Sequence, residues 1–424
     1  VETARGKKVL ADLRKFVKSV DDVYLATDLD REGESIAWHL QYCLGLKDNY
    51  KRISFDAITK SAISAAIKSP GKLDFNLVRA AEARRLLDRM VGYMVSRLLS
   101  DAYSNKLSAG RVQTPASKLV AIREREIRSF VSKDFYKVIL GFNTSDKSWS
   151  ASWNWKQYIK GDDRFDQEMT HWVDKDFAQK VSDVKSVTVK KIDKKQSNRK
   201  APAPFTTSTM QQAASVALKI NSKACMKLAQ SLYEAGFITY HRTDSFNLSP
   251  DAIGQINNWL NTNGFEKCVL DKPNTWKSKD GSQEAHEAIR PSNIDVTEAS
   301  LDDSKLNALY RLIWSRTVAS QMKAAVYDVT RVALESDEQI DDKQMIFVAT
   351  GEVMKFSGWK RLVKDDATQE GDNGDHENQD LPALEEGQAL DVVSGRVKAE
   401  KTKPPARYTE ASLIKQLEKE GIGR

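Results

Sequence analysis

A helical stretch nested inside a run of strands limits this chain more than any other feature. Segments from Phe135 to Phe142, Trp149 to Trp155 and Val184 to Ile192, then Tyr327 to Leu334, Met345 to Thr350 and Gly387 to Val393, are short and rich in β-branched and aromatic residues, the composition of strands. Between the two sets lies a helical block from Thr207 to about Lys323. Strands on both sides of such a block predict a helical domain inserted into a β domain, with two chain crossings between them.

Upstream, Val9, Leu10, Leu13 and Val17 recur at helical spacing, and Val23 to Ala26 reads as a buried strand. Helix then strand suits a doubly wound α/β domain, in which ligands gather beyond the carboxyl ends of the strands. Asp28 and Asp30 fall there; Glu32 and Glu34 open the next helix, which Ile36, Ala37 and Leu40 are expected to bury. Carboxylates this close repel unless a cation lies between them. Mg²⁺ suits Asp-x-Asp-x-Glu, because it takes one or two carboxylates and completes its shell with water and phosphate oxygens. A solvated acidic helix start, favoured by the helix dipole, fits the bare pattern equally.

In the inserted block, Leu228, Ala229, Leu232 and Tyr233 form the apolar face of a helix, with Lys227, Gln230 and Glu234 opposite, and Gly236 is expected to end it. Phe237-Ile238 then leads into Tyr240, with Arg242 two residues on. A phenol ionises near pH 10 and is a poor nucleophile at neutrality unless a cation favours the phenolate. Arg242 is the candidate cation, and its planar fork also matches two phosphate oxygens. A tyrosine capping a core helix fits the same triplet.

From Ala80 to Met94, helical geometry places Arg84, Arg85, Asp88 and Arg89 on one arc and Leu86, Leu87, Met90, Val91 and Met94 on the other. The second arc is expected to be core. Asp88 can bond Arg84 and Arg85 and hold the guanidinium strip in place; a solvated helix face is the alternative. Ser108, Gly110, Arg111 and Gln113 open the next helix, where free amides and Arg111 could seat a phosphate or the small residues could act only as caps. His286 and Arg290 lie near a proline; a lone histidine of this kind is more often structural. Residues 364–388 carry Asp365, Asp366, Glu370, Asp372, Asp375, Glu377 and Asp380 among Gly, Asn and Gln, and read as an exposed, partly disordered loop that should not face a polyanionic partner.

The formal charge of +7 and 29% charged residues favour a polyanionic partner without requiring one. No apolar run is long enough to span a bilayer, and no Gly-x-x-x-x-Gly-Lys-Ser/Thr motif for ATP occurs. Cys43, Cys225 and Cys268 are isolated and fit a reducing cytoplasm.

The segment Gly236-Phe237-Ile238-Thr239-Tyr240-His241-Arg242-Thr243-Asp244-Ser245 closely resembles the active-site segment of the bacterial type IA DNA topoisomerases. Tyr24 to Leu40 resembles the acidic metal motif of that family's Toprim domain. Leu107 to Gln113, Gln283 to Ser292 and Lys403 to Tyr408 match further motifs in the family's order. The resemblance implies a toroid of mixed α/β, α and β domains: a Toprim domain over 1–73; a helical DNA-binding domain over 74–129 completed by 404–424; a β arch over 130–199 completed by 327–403; and an inserted tyrosine domain over 200–326. It implies relaxation of negatively supercoiled DNA without ATP. Tyr240 would attack single-stranded DNA to give a transient 5′-phosphotyrosine, Arg242 would stabilise the phosphate, and Mg²⁺ at Asp28, Asp30 and Glu32 would position the 3′-end for resealing.

Further roles follow from the same resemblance. Arg84, Arg85, Asp88, Arg89, Ser108, Gly110, Arg111 and Gln113 would contact DNA, His286 and Arg290 would lie near the phosphates, and Gln230 and Glu234 would support the site. A monomer associated with the nucleoid is expected. The family's Toprim domain begins with an earlier strand bearing a Glu and a Lys, so the sequence reads as a fragment lacking that strand and a C-terminal part. A single-strand-binding fragment without turnover is the competing reading. A Toprim primase or nuclease would leave Tyr240 unexplained.

Overall fold

The computed structural model describes residues 3–158, 162–166, 170–276, 287–363 and 379–423. The first unit runs α1 (Ala4–Val17), β1 (Tyr24–Leu25), α2 (Arg31–Leu44), β2 (Lys51–Arg52) and α3 (Lys60–Lys68), with β1 and β2 parallel. The α/β expectation holds here. Thr3 and Asp30 accept amide hydrogens at the starts of α1 and α2, and Gly45 closes α2 at φ +67. Ala37 is buried as expected, but Ile36 is 53% exposed; the buried stripe runs through Gly33, Glu34 and Ala37 instead.

Helix α4 (Phe75–Arg89) packs its N-terminal half against α2 through Val78 and Ala81. A π-helical turn, Met90–Val95, then leads into α5 (Ser96–Tyr103), with α6 (Gln113–Ser129) following. The expected core arc fails: Leu86, Leu87, Met90 and Met94 are 59%, 49%, 57% and 60% exposed. The π turn rotates Met90 and Met94 off the face that a 3.6-residue period extrapolates, whereas Leu86 and Leu87 precede it and are exposed on α4 itself.

The β domain contains β3 (Asp134–Thr144), β4 (Lys147–Trp153), the short pair β5 (Phe165–Asp166) and β6 (His171–Trp172), α7 (Lys175–Ser182) and β7 (Ser186–Arg199). Then comes the helical block: α8 (Thr207–Ala217), α9 (Ser222–Glu234), α10 (Pro250–Thr262) and α11 (Ser304–Ser320). The sheet resumes with β8 (Ala325–Ile340), β9 (Lys343–Phe356), β10 (Ala389–Asp391) and β11 (Ser394–Lys401), and α12 (Glu410–Lys419) closes the described chain against α8. Seven strands join in the order β10-β7-β8-β9-β4-β3-β11. Strands from both sides of the helical block thus share one sheet, as the nesting predicts.

Two details differ from expectation. The edge strand β11 is mostly exposed and alternates Arg and Lys with small residues, a charged edge that carries little strand signal and discourages pairing with another chain. Residues 379–388 do not form a free loop: Gly387 and Gln388 bond Val189, and Glu386 caps the amide of Ile192. Residues 364–378 of the expected acidic loop lie outside the described residues.

The largest core belongs to the helical block and includes Leu232, Ile238, Tyr240, Ile256 and Tyr310. Ile238 is fully buried, and burying such a side chain contributes about 1.5–3 kcal/mol. The segment carrying Tyr240 is therefore anchored by Ile238 as well as by the buried ring of the tyrosine itself.

Candidate active site

Tyr240 lies on a short ladder that joins two units. Helix α9 ends in a glycine C-cap: Phe237 N bonds Leu232 O, Gly236 N bonds Tyr233 O, and Gly236 sits at φ +79. The chain then runs extended between residues 56–58 of the α/β unit and residues 288–292, with bridges Ala57 to Thr239 and Ile238 to Pro291. The amide of Tyr240 donates to Asp56 O at 2.6 Å, and that of Thr239 to Arg290 O at 2.9 Å. Gly236 is needed twice, since a Cβ there would also lie 2.8 Å from Ile58 O. Beyond the tyrosine, Thr207 at the start of α8 accepts from Thr243 N at 2.9 Å and donates to His241 O at 2.8 Å.

The acidic loop meets the phenol from the other side. Gly33 makes this approach close, as a Cβ there would fall 2.2 Å from Asp28 O. Asp30 uses Oδ1 to cap α2 at Gly33 N, 2.8 Å, and Oδ2 to accept the Tyr240 hydroxyl, also 2.8 Å. The phenol is 3% exposed and also meets the ring of Tyr233 edge-on at 5.3 Å. Burial, the charge of Asp30, the hydrogen bond to it and the charge of Asp28 push the phenol well above the usual tyrosine range, and Arg242 offsets only part of this. The expectation that Arg242 favours the phenolate is thus corrected for this closed arrangement: burial and the two carboxylates outweigh the guanidinium, and the phenol is held protonated.

His241 is buried, which lowers its imidazole to about 4, with Arg242 adding to the effect. It is therefore neutral near pH 7. Arg242 is exposed and lines a cleft of about 670 Å³ with Asp30, Glu32, Arg84 and Gln211. Asp30, which accepts the Tyr240 hydroxyl, stands in the wall of this cleft.

Asp28, raised by burial and then by the charge of Asp30, and Asp30 form a like-charged pair that a hard divalent cation would relieve. Glu32 is turned away, toward Arg31 and Arg84 at 3.8 Å each. Among the described residues no group of three or more His, Cys, Asp or Glu is gathered for a metal. Two carboxylates still fit Mg²⁺-like chemistry, with water and phosphate supplying the other ligands. Glu34 has a separate role. It is buried and bonds Arg52 at 2.8 Å and Asp74 N at 2.8 Å, while Arg52 also donates to the carbonyls of Leu25, Thr27 and Asp28.

The other candidates divide. Arg84 bonds Asp88 at 4.0 Å, but the closer partner of Asp88 is Arg111 at 2.8 Å, and Arg85 is left exposed with Arg89. Gln113 bonds Ser108 at 3.2 Å, and Thr114 takes the amide of Gly110 at 3.1 Å, so α6 begins at Val112 without a side-chain cap. Gln230 bonds Glu234 at 2.6 Å on the exposed side of α9, and Tyr233 is the residue of that helix that touches Tyr240. Arg290 is 7% exposed and bound to Glu287 at 2.6 Å, so it is corrected from a DNA contact to a buried support. His286 lies outside the described residues.

Sequence reasoning missed Asp56 and Glu287. Burial and a hydrogen bond to Glu287 raise Asp56; burial would also raise Glu287, but Arg290 and the hydrogen bonds from Asp56 and Ser249 bring it below its usual value. Asp56 stands as the donor toward Glu287 across the seam beside Tyr240. Only their side-by-side placement reveals this, as they are far apart in the chain.

The DNA topoisomerase family model matches residues 72–424, and the Toprim domain model matches residues 2–58. The plasmid DNA topoisomerase I of Xylella fastidiosa is 44% identical over 425 residues, covering 100% of this chain and 63% of that protein. DNA topoisomerase 1 of Escherichia coli is 42% identical over 437 residues, covering 100% of this chain and 47% of its own. The structure of full-length topoisomerase I from Thermotoga maritima superposes with a TM-score of 0.82 at 33% identity, over 100% of this chain and 67% of that one. This chain therefore spans about half to two-thirds of the length of these relatives. Because the two matching regions meet at the seam where Tyr240 lies against Asp30, and together cover nearly the whole sequence, the chain belongs to the bacterial type IA DNA topoisomerase family.

Proposed function

We propose that this chain carries the strand-cleaving centre of a DNA topoisomerase that relaxes negatively supercoiled DNA without ATP. The observation that carries the reading is the seam itself. A tyrosine hydroxyl is buried between an acidic loop and a cleft that Arg242 lines.

In this reading a single strand enters the cleft, its phosphates guided by the exposed Arg85 and Arg89 and by Arg242. The seam opens enough to release Tyr240 from Asp30. As it departs, the phenol leaves its proton on the Asp30 carboxylate that already accepts its hydrogen bond; the phenolate oxygen forms a bond to phosphorus, the P–O3′ bond breaks, and the leaving 3′-oxygen takes up a proton from water. One phosphodiester replaces another, so the bond is conserved for resealing and no nucleotide hydrolysis is needed. Arg242 stabilises charge developing on the phosphate. A divalent cation at Asp28 and Asp30, for which Mg²⁺ is our candidate, would supply positive charge that offsets the carboxylates and engages phosphate oxygens. The β sheet is the arch that carries the tyrosine domain, within the domain limits set out from sequence, and the chain acts as a monomer.

The test is direct. Single-stranded DNA mixed with the protein, extended at both ends to the length of its relatives, should give a covalent adduct on the 5′ side of the break, absent from Tyr240→Phe. Adduct in that variant would remove Tyr240 from its role. Tight binding without adduct in the extended native protein would favour a non-cleaving clamp, a reading that the buried, protonated phenol also suits.

A further inference from the structure

The seven-stranded sheet carries a second cationic groove, separate from the cleft at Tyr240, on the face turned away from α7. It encloses about 680 Å³. Its origin lies in the pairing. Strands β4 and β9 join only at Ser152 to Val348 and Trp153 to Phe347, so the sheet parts along the rest of β4. Gln379 fills the gap by bonding the backbone of Ser150 in both directions, at 2.9 and 2.6 Å. With alternate residues facing opposite sides, Val138, Leu140 and Ala151 go to the core under α7, and Lys137, Ile139, Ser150 and Ser152 line the groove.

The charge of the groove is one-sided. Among the described residues, Lys137, Lys156, Arg331, Arg396 and Lys398 line it against a single carboxylate, Glu400. Glu400 is already shared by Lys398 at 2.7 Å and Lys137 at 3.3 Å. Arg331 and Arg396 are exposed and form no ion pair among the described residues. They stand on β8 and β11, four strand steps apart, about 19 Å across the strands, with Arg331 two residues further along its strand. Aromatic rings border the groove: Trp155 is half-buried, and His171 stacks on Phe135, which shares the face of Lys137, at 4.1 Å and 13°.

Paired cationic rims with rings between them match how proteins hold single strands, in which phosphates meet arginines and bases stack on aromatic faces. A duplex keeps its base faces covered and could use only the cations. We propose that this groove is a second binding site for single-stranded nucleic acid, with the backbone held by Arg331 and Arg396 and a base on Trp155. The site takes no part in bond breaking, so it stands whether or not Tyr240 cleaves.

The experiment is photocrosslinking of a 5-iododeoxyuridine oligonucleotide to the whole chain, with the crosslinked peptides mapped by mass spectrometry. Crosslinks are expected at Trp155, reduced at least tenfold in R331A/R396A. Any adduct formed through Tyr240 should be unchanged in that variant. Both arginines are exposed, and if the variant melts early, the map of the unmodified chain still decides. No crosslink between residues 135 and 172 would overturn the proposal. So would equal crosslinking in the variant, equal labelling by the duplex form, or complete loss in inorganic phosphate matched in phosphate and ionic strength, which would mark a simple anion site.

Discussion

The hydroxyl of Tyr240 donates to the carboxylate of Asp30 across 2.8 Å and 210 positions of sequence. The presumed activator, Arg242, is outweighed in this state by burial and two carboxylates. Asp30→Ala should therefore bring the phenol down toward the ordinary tyrosine value without reaching it, because burial remains. The check is the ultraviolet titration of Asp30→Ala minus that of Asp30→Ala/Tyr240→Phe. No earlier ionisation would mean that burial alone holds the proton.

Gly236 combines a left-handed backbone with a 2.8 Å approach to Ile58 O. An alanine there costs about 1–2 kcal/mol for the backbone alone and must also push the two units apart. Gly236→Ala is expected to lower the melting temperature and speed hydrogen exchange at the Tyr240 amide, whereas Gly264→Ala, at a similar φ in open space, should lower the melting temperature alone.

The Arg52–Glu34 pair is almost fully buried and holds the backbone of the acidic loop. Removing one partner of such a pair costs about 3–5 kcal/mol, because the other charge is stranded. Glu34→Gln should show a loss of this order by denaturant unfolding of the first unit. A loss under about 1 kcal/mol would mean that water reaches Arg52.

Arg85 and Arg89 are exposed, whereas Arg84 is tied to Glu32 and Asp88. Arg85→Ala and Arg89→Ala should each flatten the salt dependence of single-strand binding by about 0.7 unit, the value for one phosphate contact. Arg84→Ala should change the slope less. Equal slopes for all three and the native chain would return α4 to an ordinary solvated helix.

The Asp56–Glu287 pair gives the seam a pH window. Asp56 is raised in the folded chain, so its contribution is full below the ordinary aspartate value, about 3.9, and is lost as pH rises through the raised value. Glu287 is lowered, so its contribution is present above the ordinary glutamate value and is lost as pH falls through the lowered one. Between these limits the seam is firmest. Asp56→Asn keeps a donor toward Glu287 without titrating, and its melting temperature should lose the upward arm of this dependence. Parallel profiles for both chains would place the proton elsewhere.

Much of the site was legible because its signals are local. The glycine ending α9, the apolar anchor at Ile238 and the carboxylates after β1 each depend on a few adjacent residues. What failed were inferences that need a partner from elsewhere. Arg242 beside Tyr240 in sequence does not control the phenol, because Asp30 reaches it from another unit. Glu34 looks like a fourth member of the acidic set until Arg52 is placed beneath it. Arg290, read as facing phosphate, is consumed by Glu287. The Met90 end of the apolar arc was read from a regular period that the π turn interrupts, and β11 was too polar to announce itself.

The pairing of β7 with β8 also bears on how the chain folds. Their ladder begins where the helical block departs and returns, at Arg199 opposite Ala325, and β3 finds β11 only at Asp134 opposite Lys401. Such distant partners make for slow folding, since loop closure precedes any reward from contact. A helical block that becomes compact first brings Arg199 and Ala325 together and shortens that search. The order of assembly is thus written into the insertion: the block that carries the tyrosine acts as the clasp on which the sheet closes.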